Sequence, residues 1–148
     1  MRYVVSLRVF HSHLAPSEIE AALGMEAAGA QTAGELWRTP KGRVTGTIAR
    51  PTVVRFALPD ADGQPLEDYI ADRLAALLPR RTQIRRLVED DARIDFFVGV
   101  FLDRSDGLTI SAPLSASLGD LGIDLVLDMY SCGYPTDPDA VAGGPPGD

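Results

Sequence analysis

The chain of 148 residues contains one cysteine, Cys132, two histidines, His11 and His13, and one lysine, Lys41. A lone thiol excludes an intrachain disulfide. The fold must therefore rest on its core, and a chain of this length buries roughly 68–70% of its unfolded surface without a staple. No apolar run approaches ~18 residues, and Met1-Arg2-Tyr3 leads straight into strand-like sequence, so neither a transmembrane helix nor a signal peptide is expected. The expectation is a soluble cytoplasmic protein. A Gly-rich phosphate loop is missing, and no serine stands in a nucleophile-elbow context. No Lys, Arg or His follows Arg104. The 14 bases before that point meet 14 acids and cancel, so the seven Asp of residues 105–148 carry the whole net charge of −7. That balance disfavours nucleic acid and anionic membranes as partners, because phosphate binding needs a clustered positive field.

Patterns that are present describe an α+β chain. Tyr3, Val5, Leu7 and Val9 alternate with Arg2, Ser6 and Arg8, as in a half-buried strand. Pro16 opens a helix, Glu18 and Glu20 complement the positive end of its dipole, and Gly24 closes it. Residues 25–46 are rich in Gly, Ala and Thr, with Trp37 as the one large anchor. A short strand is expected around Leu36-Trp37-Arg38, followed by Val44–Ala49 and Thr52–Leu58 as two strands, or as one strand broken at Pro51. Leu66, Tyr69, Ile70, Leu74, Leu77 and Leu78 follow helical three-and-four spacing. Pro79 interrupts that helix, and Ile84, Leu87 and Val88 continue in a shorter one. Arg93–Leu102 is the strongest strand, apolar on both faces. A last helix from about Pro113 to Leu121 and a last strand over Asp124–Tyr130 complete residues 1–132, read as a single domain. Residues 133–148, acidic and rich in Pro and Gly, read as a disordered tail.

The order predicts a two-layer α+β sandwich, a mainly antiparallel sheet with helices on one face. An internal echo suggests a β-α pseudo-duplication. Val9-Phe10…Leu14…Pro16…Ile19…Leu23-Gly24 parallels Val100-Phe101…Ile110…Pro113…Leu114…Leu118-Gly119.

Two stretches carry a family resemblance. The first is Leu7-x-Val9-Phe10 followed by Leu14-x-Pro16-x-x-Ile19-x-x-x-Leu23-Gly24. The second is Asp106-Gly107-x-x-Ile110-Ser111, then Leu118-x-x-Leu121-Gly122-Ile123-x-Leu125-x-x-Asp128-x-Tyr130. With Trp37 at its usual place, the chain resembles the bacterial domain-of-unknown-function family 4279 over most of residues 3–131. Ala15 departs from that pattern, which usually offers a polar helix start. These motifs are apolar and turn positions. The resemblance implies the architecture and no catalytic residue.

Four groups of residues could carry chemistry. His11-x-His13 places two imidazoles at a strand end, and a zinc site there needs a third ligand, for which Asp103 or Asp128 is the candidate. The plain alternative is an ordinary polar loop. Asp128 and Tyr130 share a strand face. A carboxylate there could orient Trp37, bind Arg38 or Arg55, or act as a general base, and its plain reading is a structural hydrogen bond on the outer sheet face. Trp37, Arg38, Asp128 and Tyr130 are thus the candidate binding residues. Arg80, Arg81, Arg85 and Arg86 could hold an anion, although Glu89, Asp90 and Asp91 follow to neutralise them. Cys132, with no local partner, reads as a spectator thiol.

No catalytic set emerges, and no cofactor is implied. The reading that fits is a non-enzymatic interaction module, an accessory or immunity-like protein whose partner is another protein or a small molecule. The alternative is a small cofactor-independent enzyme using Asp128 or His11 and His13 as acid–base groups. Phe97 and Phe101 face away from Ile94, Phe96 and Val98, so both faces of that strand want cover. The second face is covered by the 25–65 segment or by another subunit, as a homodimer.

Overall fold

Alternation along the first strand decides which way the sheet faces. The structure, a computed structural model, describes residues 1–38, 44–48 and 51–131, with the backbone alone for 36–38 and 44–48. In it β1 (Arg2–His11) buries Val5, Leu7, Val9 and His11 on one side. The chain continues through α1 (Pro16–Leu23), β2 (Gly29–Gln31), β3 (Leu36–Arg38), β4 (Val44–Ile48) and β5 (Thr52–Ala57). It goes on through α2 (Leu66–Leu77), a 3-10 turn (Leu78–Arg80), α3 (Arg81–Glu89), β6 (Arg93–Leu102), α4 (Ala112–Leu121) and β7 (Ile123–Ser131). The Pro/Gly-rich tail and Cys132 lie outside the described residues.

Five strands form one sheet in the order β2-β5-β1-β6-β7, and β3 pairs with β4 separately. The pairs β2–β5, β5–β1 and β1–β6 are antiparallel, as expected. The pair β6–β7 is parallel, because α4 crosses over between them and returns the chain in its starting direction. The expectation of a mainly antiparallel α+β sheet therefore holds, with one parallel edge. Pro51 separates two strands rather than breaking one, since β4 and β5 belong to different sheets. β2 was not expected, because Gly29-Ala30-Gln31 is too short to show an alternation.

One core joins the layers. Leu7, Val9, Val54, Phe56, Ile94, Phe96, Val98 and Val100 from the strands meet Ile19, Ile70 and Ile84 from the helices, each at 0% or 1% exposure. Burying one such side chain contributes roughly 1.5–3 kcal/mol. On the opposite sheet face most residues of the same strands are half-buried or exposed, with Asp95 and Gly99 of β6 buried among them, and the helices lie on one face only.

Both strand–helix units of the internal echo form, but their ends do not align as the sequence suggests. α1 stops at Gly24, with φ 64°, whereas α4 runs through Gly119 and stops at Gly122, with φ 74°. Gly122 is the counterpart of Gly24. Ala15 offers no side-chain cap to α1; instead the Glu18 carboxylate accepts the Ala15 N–H at 2.8 Å, half of a capping box. At α4 the Ser111 hydroxyl accepts the Leu114 N–H at 3.3 Å, which gives that serine a capping role.

Candidate functional site

Among the described residues only three polar side chains are buried, His11, Thr52 and Asp95. Each has a partner that explains it. His11 ends β1 on the helix side, and its Nδ1 accepts the backbone N–H groups of His13 at 3.2 Å and Leu14 at 3.1 Å. The proton therefore sits on Nε2, which donates to the Asp90 carboxylate at 2.9 Å. Thr52 pairs with His11 across the sheet. Its hydroxyl donates to the Leu14 carbonyl at 2.6 Å and accepts the Ala33 N–H at 3.0 Å. Together they pin the turn between β1 and α1.

His11, His13 and Asp90 offer ligand atoms within 4.8 Å of one another, the geometry of a candidate cation site. Asp90 is the third member, where Asp103 was expected. Asp103 could approach the histidines only if the end of β6 lay beside the end of β1. The strands are antiparallel, with Phe10 opposite Arg93 and Arg2 opposite Phe101. Asp103 therefore lies at the far end of the sheet, roughly 30 Å from His11 at strand spacing, and the residues before β6 reach the histidines. A ligating imidazole ordinarily binds through one nitrogen and donates the N–H of the other. His11 does the reverse, accepting at Nδ1 and holding its proton where a cation would bind. Ligation at Nε2 would cost that proton or the two backbone hydrogen bonds that order the turn.

The second cluster lies on the sheet face without helices. Arg8 meets Asp95 through two parallel contacts, Nε to Oδ1 and Nη2 to Oδ2, both 2.8 Å. The Asp95 side chain is 0% exposed and that of Arg8 24%. The Arg8 guanidinium also lies 4.2 Å from the centre of the Phe97 ring and 5.1 Å from that of Phe10, and Arg93 covers Phe10 at 4.0 Å. At the other end Arg2 stands 4.5 Å over Phe101, which stacks on Tyr130 at 5.1 Å. Arg2, Arg8 and Arg93 are thus each held against an aromatic ring on this face of β1 and β6.

Asp128 and Tyr130 share this face, as expected from their spacing. Tyr130 donates its hydroxyl to Asp128 at 2.5 Å, and this hydrogen bond holds the Tyr130 hydroxyl above its ordinary pKa of 10.0. Gly99 lies opposite Asp128 in β6. Without a side chain it lets the Phe101 and Tyr130 rings pack over its backbone. Arg55 sits on β5, three strands from β7, and does not reach Asp128. The side chains of Trp37 and Arg38 lie outside the described residues. The two histidines stand on the helix side near one end of the sheet. Asp128 and Tyr130 stand on the open side towards the other, so the two clusters cannot share a substrate.

The arginine run splits up. Arg85 pairs with Asp120 on α4 at 2.9 Å rather than with Glu89, Asp90 or Asp91, and Arg80 lies against Gly24 at the end of α1. A cavity of about 330 Å³ opens beside Arg80 in the helix layer, and one of about 390 Å³ lies between α2 and α4, lined by Glu67, Asp68 and Asp120. Neither cavity could be anticipated, because its walls come from separate elements whose apolar residues read simply as core. No helix among the described residues is long and apolar enough to cross a membrane.

The class this geometry defines is a small α+β sandwich with one sheet face left to arginine and aromatic side chains. Residues 1–132 match a domain of unknown function (DUF4279), and the chain belongs to that family. No curated protein and no solved structure matches it.

Proposed function

We propose that the protein is a non-catalytic interaction module that receives a protein partner on its open sheet face. The observation that carries this reading is the arginine–aromatic array of that face. Arginine and aromatic residues are the types enriched where binding energy concentrates. The array is already ordered by its own stacking, so little side-chain freedom remains to be lost on docking. Val4, at 60% exposure, stands among these residues, and Tyr130, at 44%, is exposed on the same face at the edge strand β7. The face is electrically two-sided. Arg2, Arg8, Arg55 and Arg93 lie on β1, β5 and β6, while Asp124 and Asp128 lie on β7. A complementary partner presents an apolar side chain to Val4 and the Phe101–Tyr130 stack, carboxylates towards β1 and β5, and a base towards β7.

The test is native mass spectrometry of the protein purified gently from its own host, alongside a Val4→Asp/Phe101→Ala variant whose thermal midpoint is checked. The expected result is one protein partner held at fixed stoichiometry by the wild-type chain and lost by the folded variant. A second copy of this chain retained by the wild type would make the face a homodimer surface instead of a receptor for another protein. A partner kept by the variant would overturn the proposal.

A further inference from the structure

We infer that the cavity between α1 and the end of α2 is a binding site for a small amphipathic carboxylate. Its floor is apolar, built from Leu7 and Phe96 on the sheet and Leu23 and Leu77 on the helices. Arg73 and Arg80 stand in its wall, and no acidic residue lines it. At about 330 Å³ it falls at the small end of the range for small-molecule pockets.

The two arginines point to the charge of the ligand. Neither makes a hydrogen bond or ion pair among the described residues, whereas Arg8 and Arg85 each hold a carboxylate. Arg73 Nε is buried without an acceptor, and an unsatisfied buried donor ordinarily costs roughly 1–3 kcal/mol. The guanidinium of Arg73 lies 5.5 Å from the centre of the Tyr69 ring. The Arg80 guanidinium lies over Gly24, its atoms 2.4–2.9 Å from where a Cβ there would stand, so the glycine leaves room for it in the cavity wall. Two positive groups without counter-ions above an apolar floor match a ligand with an apolar body and an anionic head. A guanidinium fork suits a carboxylate in particular.

This site lies in the helix layer, on the other side of the sheet from the proposed partner surface. It can be tested without that surface. Octanoate serves as the probe, with octanol to remove the charge and acetate to remove the chain, each followed by isothermal titration and amide chemical shifts. The expected result is saturable octanoate binding with shifts at Leu23, Gly24 and Leu77. Octanol should bind at least tenfold more weakly, and acetate should not saturate. Arg73→Met and Arg80→Met should each weaken octanoate about tenfold, and Arg85→Met should leave it unchanged. Should either arginine variant fail to fold, Ala76→Trp, on the exposed rim of the cavity, abolishes binding by filling it. Equal binding of octanoate and octanol, octanoate binding that survives Ala76→Trp, or no saturable binding up to 5 mM, a ceiling set at about the weakest affinity worth assigning, would each overturn the inference.

Discussion

Replacing Arg8 with alanine should destabilise the protein more than replacing Asp95, although both substitutions break the same ion pair. Asp95 is fully buried and Arg8 is 24% exposed, so the two survivors meet different fates. Without Arg8 the Asp95 carboxylate stays under the sheet face with Asp124, another acid, opposite it on β7. Leaving one member of a buried pair uncompensated costs about 3–5 kcal/mol, and the partial exposure of Arg8 places the expectation near the lower end, about 3 kcal/mol. Without Asp95, Arg8 keeps its stacking on Phe97 and Phe10 and can turn its head to water, for a loss of about 1–2 kcal/mol. The double variant should cost less than the sum, because no buried charge remains. Urea unfolding at constant slope measures all three, and in a chain of this size about 3 kcal/mol lowers the midpoint of thermal unfolding by roughly 6–12 °C. Arg8→Met separates charge from packing, since it keeps an apolar stem over both rings. The reasoning fails if Arg8→Ala costs less than about 0.5 kcal/mol, or if Asp95→Ala proves the more damaging change.

Three further outcomes follow from the same geometry. Gly24→Ala meets both a positive φ and the Arg80 guanidinium, so circular dichroism melts should show a loss of about 1–3 kcal/mol, and a silent substitution would refute the cap. His11→Ala should cost about 1–3 kcal/mol by freeing two backbone donors and the Asp90 contact; zinc titration should show no one-per-chain site that this substitution removes, and such a site would refute the assigned tautomer. The hydrogen bond to Asp128 raises the Tyr130 pKa above 10.0, so its stabilising effect is full below pH 10 and fades as pH rises through the folded value. Tyrosine carbon shifts should show that titration moving down in Asp128→Asn, and an unmoved titration would refute the assigned cause.

Much of the fold was legible because periodicity reports burial. The alternation of β1, the two-faced apolar pattern of β6 and the spacing of α2 and α3 all follow from which side chains must leave water. Strand pairing was legible only in part. The mainly antiparallel sheet was expected, but a strand pattern does not say which strand ends meet, and the antiparallel pairing of β1 with β6 sets Asp90 rather than Asp103 beside the histidines. The pair Asp128 and Tyr130 was legible because both lie on one strand, where a spacing of two sets a common face.

The residues that sequence reading could not assign are the ones whose partners are distant. Arg8 and Asp95 stand 87 residues apart, His11 and Asp90 79, and Thr52 and Leu14 38. Each buried polar group is satisfied across strands or loops, so its environment is a property of register rather than of local pattern. The arginines show this most clearly. Arg8 in an alternating strand reads as a solvated charge and Arg80 as one of a run that could hold an anion; the fold clamps the first to a buried acid and lays the second over Gly24 at the edge of a cavity. The two differ in what the fold sets opposite them. Arg8 is answered within the chain, while Arg73 and Arg80 leave their donors to a ligand, and this contrast separates a structural arginine from a binding one.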